Sequence, residues 1–464
     1  MTTTRPGPHA VSSTPFWLDS PLRPQPRPAL ARSTSTDLLV VGGGYQGLWT
    51  ALKAKERRPD RDVVLLEAGR VGGAASGRNG GFVSSSLTHG IGGAHSRWPG
   101  HTADLERLGL NNLAGLRADL DRHGIECEFE MTGKLAVATD EHQMRLLEAT
   151  RELQVRYGHD VTVLSGDDVA KRLASPRFVG GTFAPGLNAL VNPAKLAWGL
   201  LAACESAGVR VFESSPVLGL REVRDGVRAT TATAAVKAAG VVLATNGFRP
   251  LLRRLRLTTV PVYDYALVTE PLTPAQLESI GWSGREGVTD SGNQFHYTRL
   301  TADDRVLWGG YDAVYHYGSR ISDDLDQRPR TFGVLAEHFA QTFPTLREVR
   351  FTHAWGGLID TSTRFFATYG RAAHGRIAYA LGHTGLGVAS TRFAAEACLD
   401  LLDGLDTERT RSPLVRSTAL PFPPEPVRWA GVQVTRWSLA REDATGRRNP
   451  WLRALDRFGV GFDS

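Results

Sequence analysis

The chain has 464 residues, 41% hydrophobic and 22% charged, with a formal charge of +6; that size suggests two or three domains around a sizeable core, and no run approaches the length of a transmembrane helix. Only six of its 54 basic residues are lysines, and the arginines are scattered among acids, which speaks against a nucleic-acid stripe. The cysteines, Cys127, Cys204 and Cys398, lie far apart without metal-ligand spacing, so neither a disulfide framework nor a metal site is expected and a reducing cytoplasm fits.

Residues 1–36 are proline-rich and lack the apolar stretch of a secretory signal; they read as an extended N-terminal arm. Residues 37–41 form a short apolar run, the pattern of a strand buried on both faces. Gly42, Gly44 and Gly47 then spell G-x-G-x-x-G, an amphipathic helix runs to about residue 57, and a second apolar strand at 63–66 ends on Glu67, twenty residues beyond Gly47. Strand, motif, helix, strand and acid together predict a dinucleotide site. Gly42 permits the tight turn, Gly44 lets backbone approach a pyrophosphate, and Gly47 lets helix and strand pack. The helix N-terminus favours the phosphate charge. Glu67 suits ribose hydroxyls and would repel a 2′-phosphate, which disfavours NADP.

Residues 69–100 are spent on glycine, serine, His89 and His95, with "GGAASGRNGGFVSSS" at 72–86. A loop of that length without secondary structure needs a functional reason. A flat, extended ring lying along it is one, and it favours FAD over NAD. Further along, a strand is expected at 134–138, a helix at 193–207 feeding a strand at 209–212, and an apolar strand within 238–248. Strands at 262–269, 294–300, 305–308 and 349–355 alternate aromatic or β-branched with polar residues, as in a half-covered antiparallel sheet. Residues 375–402 read as strand, turn and helix, the turn being His383, Thr384, Gly385, Leu386 and Gly387. The N-terminus of that helix can face a partial negative charge. The tail, 405–464, reads as an extended arm with a short helix.

The segments "VVGGGYQGLWTAL", "LLEAGRVGGAASGRNGGF", "TGKLAVA", "VVLATNGF", "PVYDYALVTEPL", "LWGGYDAVYHYG", "WGGLIDTSTRF" and "GHTGLGV" resemble, in order, those of the D-amino-acid-oxidase superfamily of FAD enzymes, closest to its gamma-glutamylputrescine oxidase-like branch. The resemblance implies an α/β fold: a Rossmann-like FAD-binding domain from 37–100, 166–260 and 370–404, and a substrate-binding domain with a mainly antiparallel sheet and flanking helices from 101–165 and 261–369. It implies non-covalent FAD, since Ser362 stands where some relatives carry an attaching cysteine. Gly42, Gly44, Tyr45, Gln46, Gly47, Glu67 and Ala68 would cradle the dinucleotide, with Val217 and Thr245. Ser76, Gly77, Arg78, Asn79, Gly80, Gly81 and Phe82 would wrap the isoalloxazine, met by Gly385, Leu386 and Gly387.

The implied activity is oxidation of a primary or secondary amine or amino acid by hydride transfer to flavin N5. The imine hydrolyses to an aldehyde or keto acid, and oxygen or another acceptor reoxidises the cofactor. The cofactor carries the difficult step, so no catalytic triad is expected. His296, Tyr297, Tyr311, Tyr315 and Trp355 are candidates for an aromatic cage around an amine. Arg364 is the candidate for a substrate carboxylate, and Asp360 for a basic substrate or for Arg364. A protonated His383 would favour reaction with oxygen. Trp308 stands near the position where sarcosine-oxidase relatives place a lysine, which leaves oxidase against dehydrogenase open. A flavin monooxygenase or halogenase is disfavoured, because no aspartate precedes the last turn. A non-enzymatic flavoprotein is disfavoured by the large second domain. The expected partners are a small-molecule amine or amino acid and an electron acceptor, with no nucleic acid and no membrane span.

Overall fold

The apolar run at 37–41 is the inner part of a longer strand, Thr34–Val41, whose last four side chains are all buried. It lies between two other apolar strands, Val63–Leu66 and Ala235–Leu243, and pairs parallel with both. The registers Val41↔Leu66 and Val41↔Leu243 bring three carboxyl ends level. Glu67 and Ala244 therefore flank Gly42, at the edge where open α/β sheets bind ligands. Arg210–Phe212, Ile377–Leu381, Thr368–Ala372 and the hairpin Gly219–Val223/Gly226–Thr230 complete eight strands. The helices Tyr45–Arg57, Pro193–Ser206 and Gly387–Leu402 pack on this layer, burying Leu48, Leu200 and Leu399. The computed structural model describes residues 11–460, so the first ten residues of the expected N-terminal arm and the last four of the tail lie outside the described residues.

A second sheet has nine strands. Thr259–Thr269 is its backbone, paired antiparallel with Phe351–Ser362, Val306–Gly310 and Val314–Tyr315. Its pairings are antiparallel except for Gly287–Asp290 against Lys134–Ala138. One face packs on the helix Pro329–Thr342, whose Leu335 and Phe339 bury against Tyr263, Tyr265 and Trp308. The other face is turned to the glycine-rich loop.

Three expectations change. The strand Gly180–Ala184, assigned by sequence to the cofactor-binding part, pairs instead with Lys134–Ala138 in the second sheet. Residues 69–100 are not devoid of secondary structure: Ala75–Gly77 is a 3-10 turn, Phe82–Ser84 pairs with Asn188–Leu190, and Gly90–Arg97 is a helix. The strand's partner lies a hundred residues away, where no local pattern announces it. The tail carries a 19-residue helix, Val427–Thr445, and a shorter one, Pro450–Arg457. The long helix buries Arg428, Thr435, Ser438 and Glu442 and exposes Trp429 and Trp437. Its polarity is inverted relative to an ordinary surface helix, so hydrophobic periodicity does not report it.

The N-terminal segment crosses both sheets. Ser12 bridges to His353, Arg27 pairs with Glu205, and the Leu30 N–H donates to Ser215. Among the described residues no helix is long and apolar enough to cross a membrane.

Candidate active site

The first turn is shaped by what backbone alone can do. Gly42 sits at φ +112°, and a Cβ there would run into the Ala244 carbonyl; a Cβ on Gly47 would overlap the carbonyl of Gly42. Only glycine fits either place. The helix that follows, Tyr45–Arg57, has no side-chain cap from Gly44; Ser76 takes its first N–H, and the next ones are left for a ligand. The Glu67 carboxylate accepts from the N–H groups of Gly43 at 2.6 Å and Gly69 at 2.8 Å, while burial pushes its pKa up. A second uncapped helix N-terminus, at Gly387, faces the same space.

That space is one cavity of about 1960 Å³ running from the glycine turn to the antiparallel sheet. Gly42, Gly44, Tyr45, Gln46, Glu67 and Ala68 line it, as do Val217 and Thr245 on the neighbouring segments. Ser76, Arg78, Asn79, Gly80 and Phe82 line it from the loop, and Gly385, Leu386 and Gly387 from the last turn. Gly47, Gly77 and Gly81 do not reach it. They serve backbone approach instead: Gly77 lies against Gly72 and Leu18, and Gly81, at φ +78°, against Val191. The uncapped helix ends, the glycine turn and the acid beside it fit a dinucleotide cofactor.

The glycine-rich loop is held at its carbonyls by two tryptophans. Trp17 Nε1 donates to Asn79 O and Trp355 Nε1 to Arg78 O, both at 2.9 Å. The Arg78 guanidinium pairs with Asp326, and its Nε donates to Gly73 O. Asn79 folds back, accepting from the Gly81 N–H at 2.8 Å. Ser76 Oγ accepts from the Tyr45 N–H at 2.9 Å, tying loop to first helix. Trp355 is thus a support for this loop, and its ring also lines the cavity.

Sequence reasoning fails on the charges around the last turn. His383 is buried, with Nε2 3.0 Å from Gln46 Oε1 and Nδ1 2.9 Å from Ser390 Oγ. The pattern is satisfied by a neutral ring donating to Gln46 and accepting from Ser390. Burial lowers its pKa to about 4, so it supplies no positive charge at neutral pH. Asp360 is not paired with Arg364. It accepts from the N–H groups of Gly382 and His383, and burial raises its pKa to about 7.

Arg364 does not line the cavity. Its guanidinium donates to Ser417 Oγ and to Ala367 O at 2.7 Å, over the ring of Phe366, and it is 6% exposed. It anchors the tail and is not available to a substrate carboxylate. Ser362 donates to Phe366 O. Tyr315 is buried and bonds Glu425. Trp308 packs away from the cavity against Phe339, Phe343 and His296. His296 lies behind Tyr311, stacked on it at 5.5 Å and bonded to Asp290 and His338. Tyr311 and Tyr297 do line the cavity.

Asp264 and Lys134 are among the ionisable side chains of the wall that the sequence reading does not single out. Asp264, on Thr259–Thr269, accepts from Tyr297 Oη at 2.7 Å, and burial raises its pKa to about 6. Lys134, first residue of Lys134–Ala138, lines the cavity with no hydrogen bond or ion pair among the described residues, and burial lowers its pKa. Asp264 sits in "PVYDYALV", where a lone charge in an alternating strand reads as a solvent-facing position; the signal is that a carboxylate there has no neighbouring cation in sequence.

The model of a family described as FAD dependent oxidoreductase matches residues 37–401. The gamma-glutamylputrescine oxidoreductase of Escherichia coli is 31% identical over 83% of this chain and 87% of its own. A probable oxidoreductase, OrdL, of Haemophilus influenzae is 28% identical over 85% and 89%. In fold, the glycine oxidase of Geobacillus kaustophilus superposes with a TM-score of 0.69 at 21% identity, covering 82% of this chain and 98% of that one.

Proposed function

The chain belongs to the FAD-dependent oxidoreductase family, with FAD as its cofactor, and from that premise we propose that it oxidises a primary or secondary amine or amino acid, of the gamma-glutamylputrescine kind. The observation that carries this reading is the wall of the chamber. It offers a carboxylate, Asp264, and ring faces, Tyr297, Tyr311 and Trp355, where an amine would lie, with a bare ammonium, Lys134, elsewhere in the same cavity. Such a set suits a substrate with a basic nitrogen at one end and a carboxylate at the other.

Bound FAD supplies the two-electron acceptor for the α-hydrogen of the amine. The chain's own part is orientation and exclusion of water. Trp17 and Trp355 fix the loop at Arg78 and Asn79, which would hold one side of the cofactor's ring, and the turn at His383 would hold the other. Lys134 replaces Arg364 as the group that holds the carboxylate. The reading has no cysteinyl bond to the cofactor: Cys127, Cys204 and Cys398 are buried in the core and none lines the cavity. Oxygen or another acceptor completes the cycle.

Anaerobic stopped-flow absorbance at the flavin peak tests the reading. A panel headed by gamma-glutamylputrescine, with sarcosine, glycine and plain amines, is expected to bleach the oxidised cofactor. A protein bleached quickly by NADPH and by no amine or amino acid would instead be a monooxygenase.

A further inference from the structure

An amine enters from water as an ammonium ion, and its nitrogen cannot assist loss of the neighbouring hydride until a proton has gone. Asp264 is the carboxylate placed for that proton. It projects from the middle of Thr259–Thr269 into the cavity, opposite Gly357 on the paired strand. The Arg78 Cβ lies 3.7 Å from where a Gly357 Cβ would be, so Asp264 stands beside the loop that would hold the ring. No lysine, arginine or histidine bonds it among the described residues. Tyr297 Oη donates to it, and the N–H groups of Tyr265 and Gly310 face it. The charged groups nearby are already engaged: Asp312 with Arg328 and Arg436, and Arg78 with Asp326.

Tyr297 is built in with care. A Cβ on Gly80 would come within 2.9 Å of its ring, and one on Gly309 within 2.5 Å. Two glycines, one from the loop and one from the neighbouring strand, make the room that aims its hydroxyl at Asp264. A tyrosine meant only for the core would need no such clearance and no carboxylate.

We propose that Asp264, oriented by Tyr297, binds the substrate ammonium and takes its proton before oxidation. One N–H bond breaks, the electron pair stays on nitrogen as a lone pair, and an O–H bond forms on the carboxylate. An ordinary ammonium and an ordinary carboxyl lie about 6 pKa units apart. Burial pushes the first down and the second up by as much as about 3–5 units each. In the closed chamber a neutral amine beside a neutral acid therefore competes with the ion pair, and transfer becomes feasible.

This rests on the reading of the chain as an amine oxidoreductase, and the test keeps the two apart. The holoenzyme and its Asp264→Asn and Tyr297→Phe variants are reduced anaerobically by gamma-glutamylputrescine, or by the best amine of the panel, from pH 5 to pH 10. The wild-type rate should rise through an inflection near pH 6 and level off. Asp264→Asn should be at least 100-fold slower at pH 7, gain about tenfold per pH unit, and approach wild type near pH 10, where free amine is abundant. Tyr297→Phe removes a hydrogen bond to the anion, so its inflection should move to higher pH. Flavin absorbance reports whether each variant holds its cofactor. An Asp264→Asn profile that matches wild type, or that is equally slow at every pH, overturns the proposal. Failure of every amine with wild type overturns the reading beneath it.

Discussion

The two sheets line one cavity by different means. The parallel sheet meets its ligand with backbone: Gly42, Gly44, two uncapped helix ends and a single acid, Glu67. The antiparallel sheet meets the remaining space with side chains from separate strands: Asp264, Tyr297, Lys134 and Trp355. A backbone site tolerates almost no substitution, because any Cβ fills it. A side-chain site can be re-specified one residue at a time while the sheet stays intact. The first half should therefore fail as a whole, and the second should change its preference.

The largest effect is expected from Gly47→Ala, whose methyl overlaps the Gly42 carbonyl. Overpacking of this kind costs about 1–3 kcal/mol where neighbours yield, and backbone does not, so loss of about 3 kcal/mol or more and of bound flavin is expected in thermal melts and absorbance. A yellow, stable Gly47→Ala protein would break the comparison outright. Glu67→Arg comes next. It strands the N–H groups of Gly43 and Gly69 and removes the ribose acceptor, at about 1–3 kcal/mol for each charge-assisted bond. Flavin retained through dialysis against FAD-free buffer would count against the assignment.

Lys134→Met should raise KM about 10–100-fold for an amine carrying a carboxylate and leave a plain amine unchanged, as one charged hydrogen bond is worth about 1.5–3 kcal/mol. Arg364→Ala is its control. It should lower the melting temperature by the loss of its bonds to Ala367 and Ser417, about 1–2 kcal/mol, with KM for both substrates unmoved. A KM effect at Arg364 with none at Lys134 would reverse the assignment made here.

The smallest effect sharpens the boundary between the halves, at the turn that Asp360 and His383 share. Asp360 rises from an ordinary 3.8 to about 7. The folded state then binds the extra proton between those values, and stability increases as pH falls through that window. His383 falls from 6.5 to about 4; the unfolded state binds the extra proton, and stability decreases from pH 6.5 to pH 4. The two slopes oppose each other in wild type. Melting temperatures from pH 4 to pH 7 should fall more steeply on acidification for Asp360→Asn than for wild type, and rise or flatten for His383→Asn.

The difference between the halves also decides what could be read from the chain. Gly42, Gly44, Gly47 and Glu67 lie within 26 residues, and their roles depend on local geometry that repeats wherever the motif occurs. Val217 and Thr245 lie far along the chain and line the same cavity. Arg364 was misjudged because it follows the strand Phe351–Ser362 at a bend, which sends its side chain to the tail instead of the chamber. His383 lines the cavity but carries no charge at neutral pH, since sequence shows an imidazole but not its burial. Asp264 and Lys134 were overlooked because which face of a strand looks inward depends on a nine-stranded register assembled from distant segments.

The N-terminal segment has a consequence for the order in which a nascent chain can fold. Arg27 must wait for Glu205, Leu30 for Ser215 and Ser12 for His353. At about 5–20 residues per second of synthesis, the last of these partners emerges roughly 20–70 s after the first residues do. The strand Thr34–Val41 cannot pair with Ala235–Leu243 until half the protein has been made. The N-terminal segment thus finds its last partner only when most of this chain has been made, and Trp17, which steadies the loop at Asn79, packs among Trp198, Leu307 and Trp355, all far along the sequence.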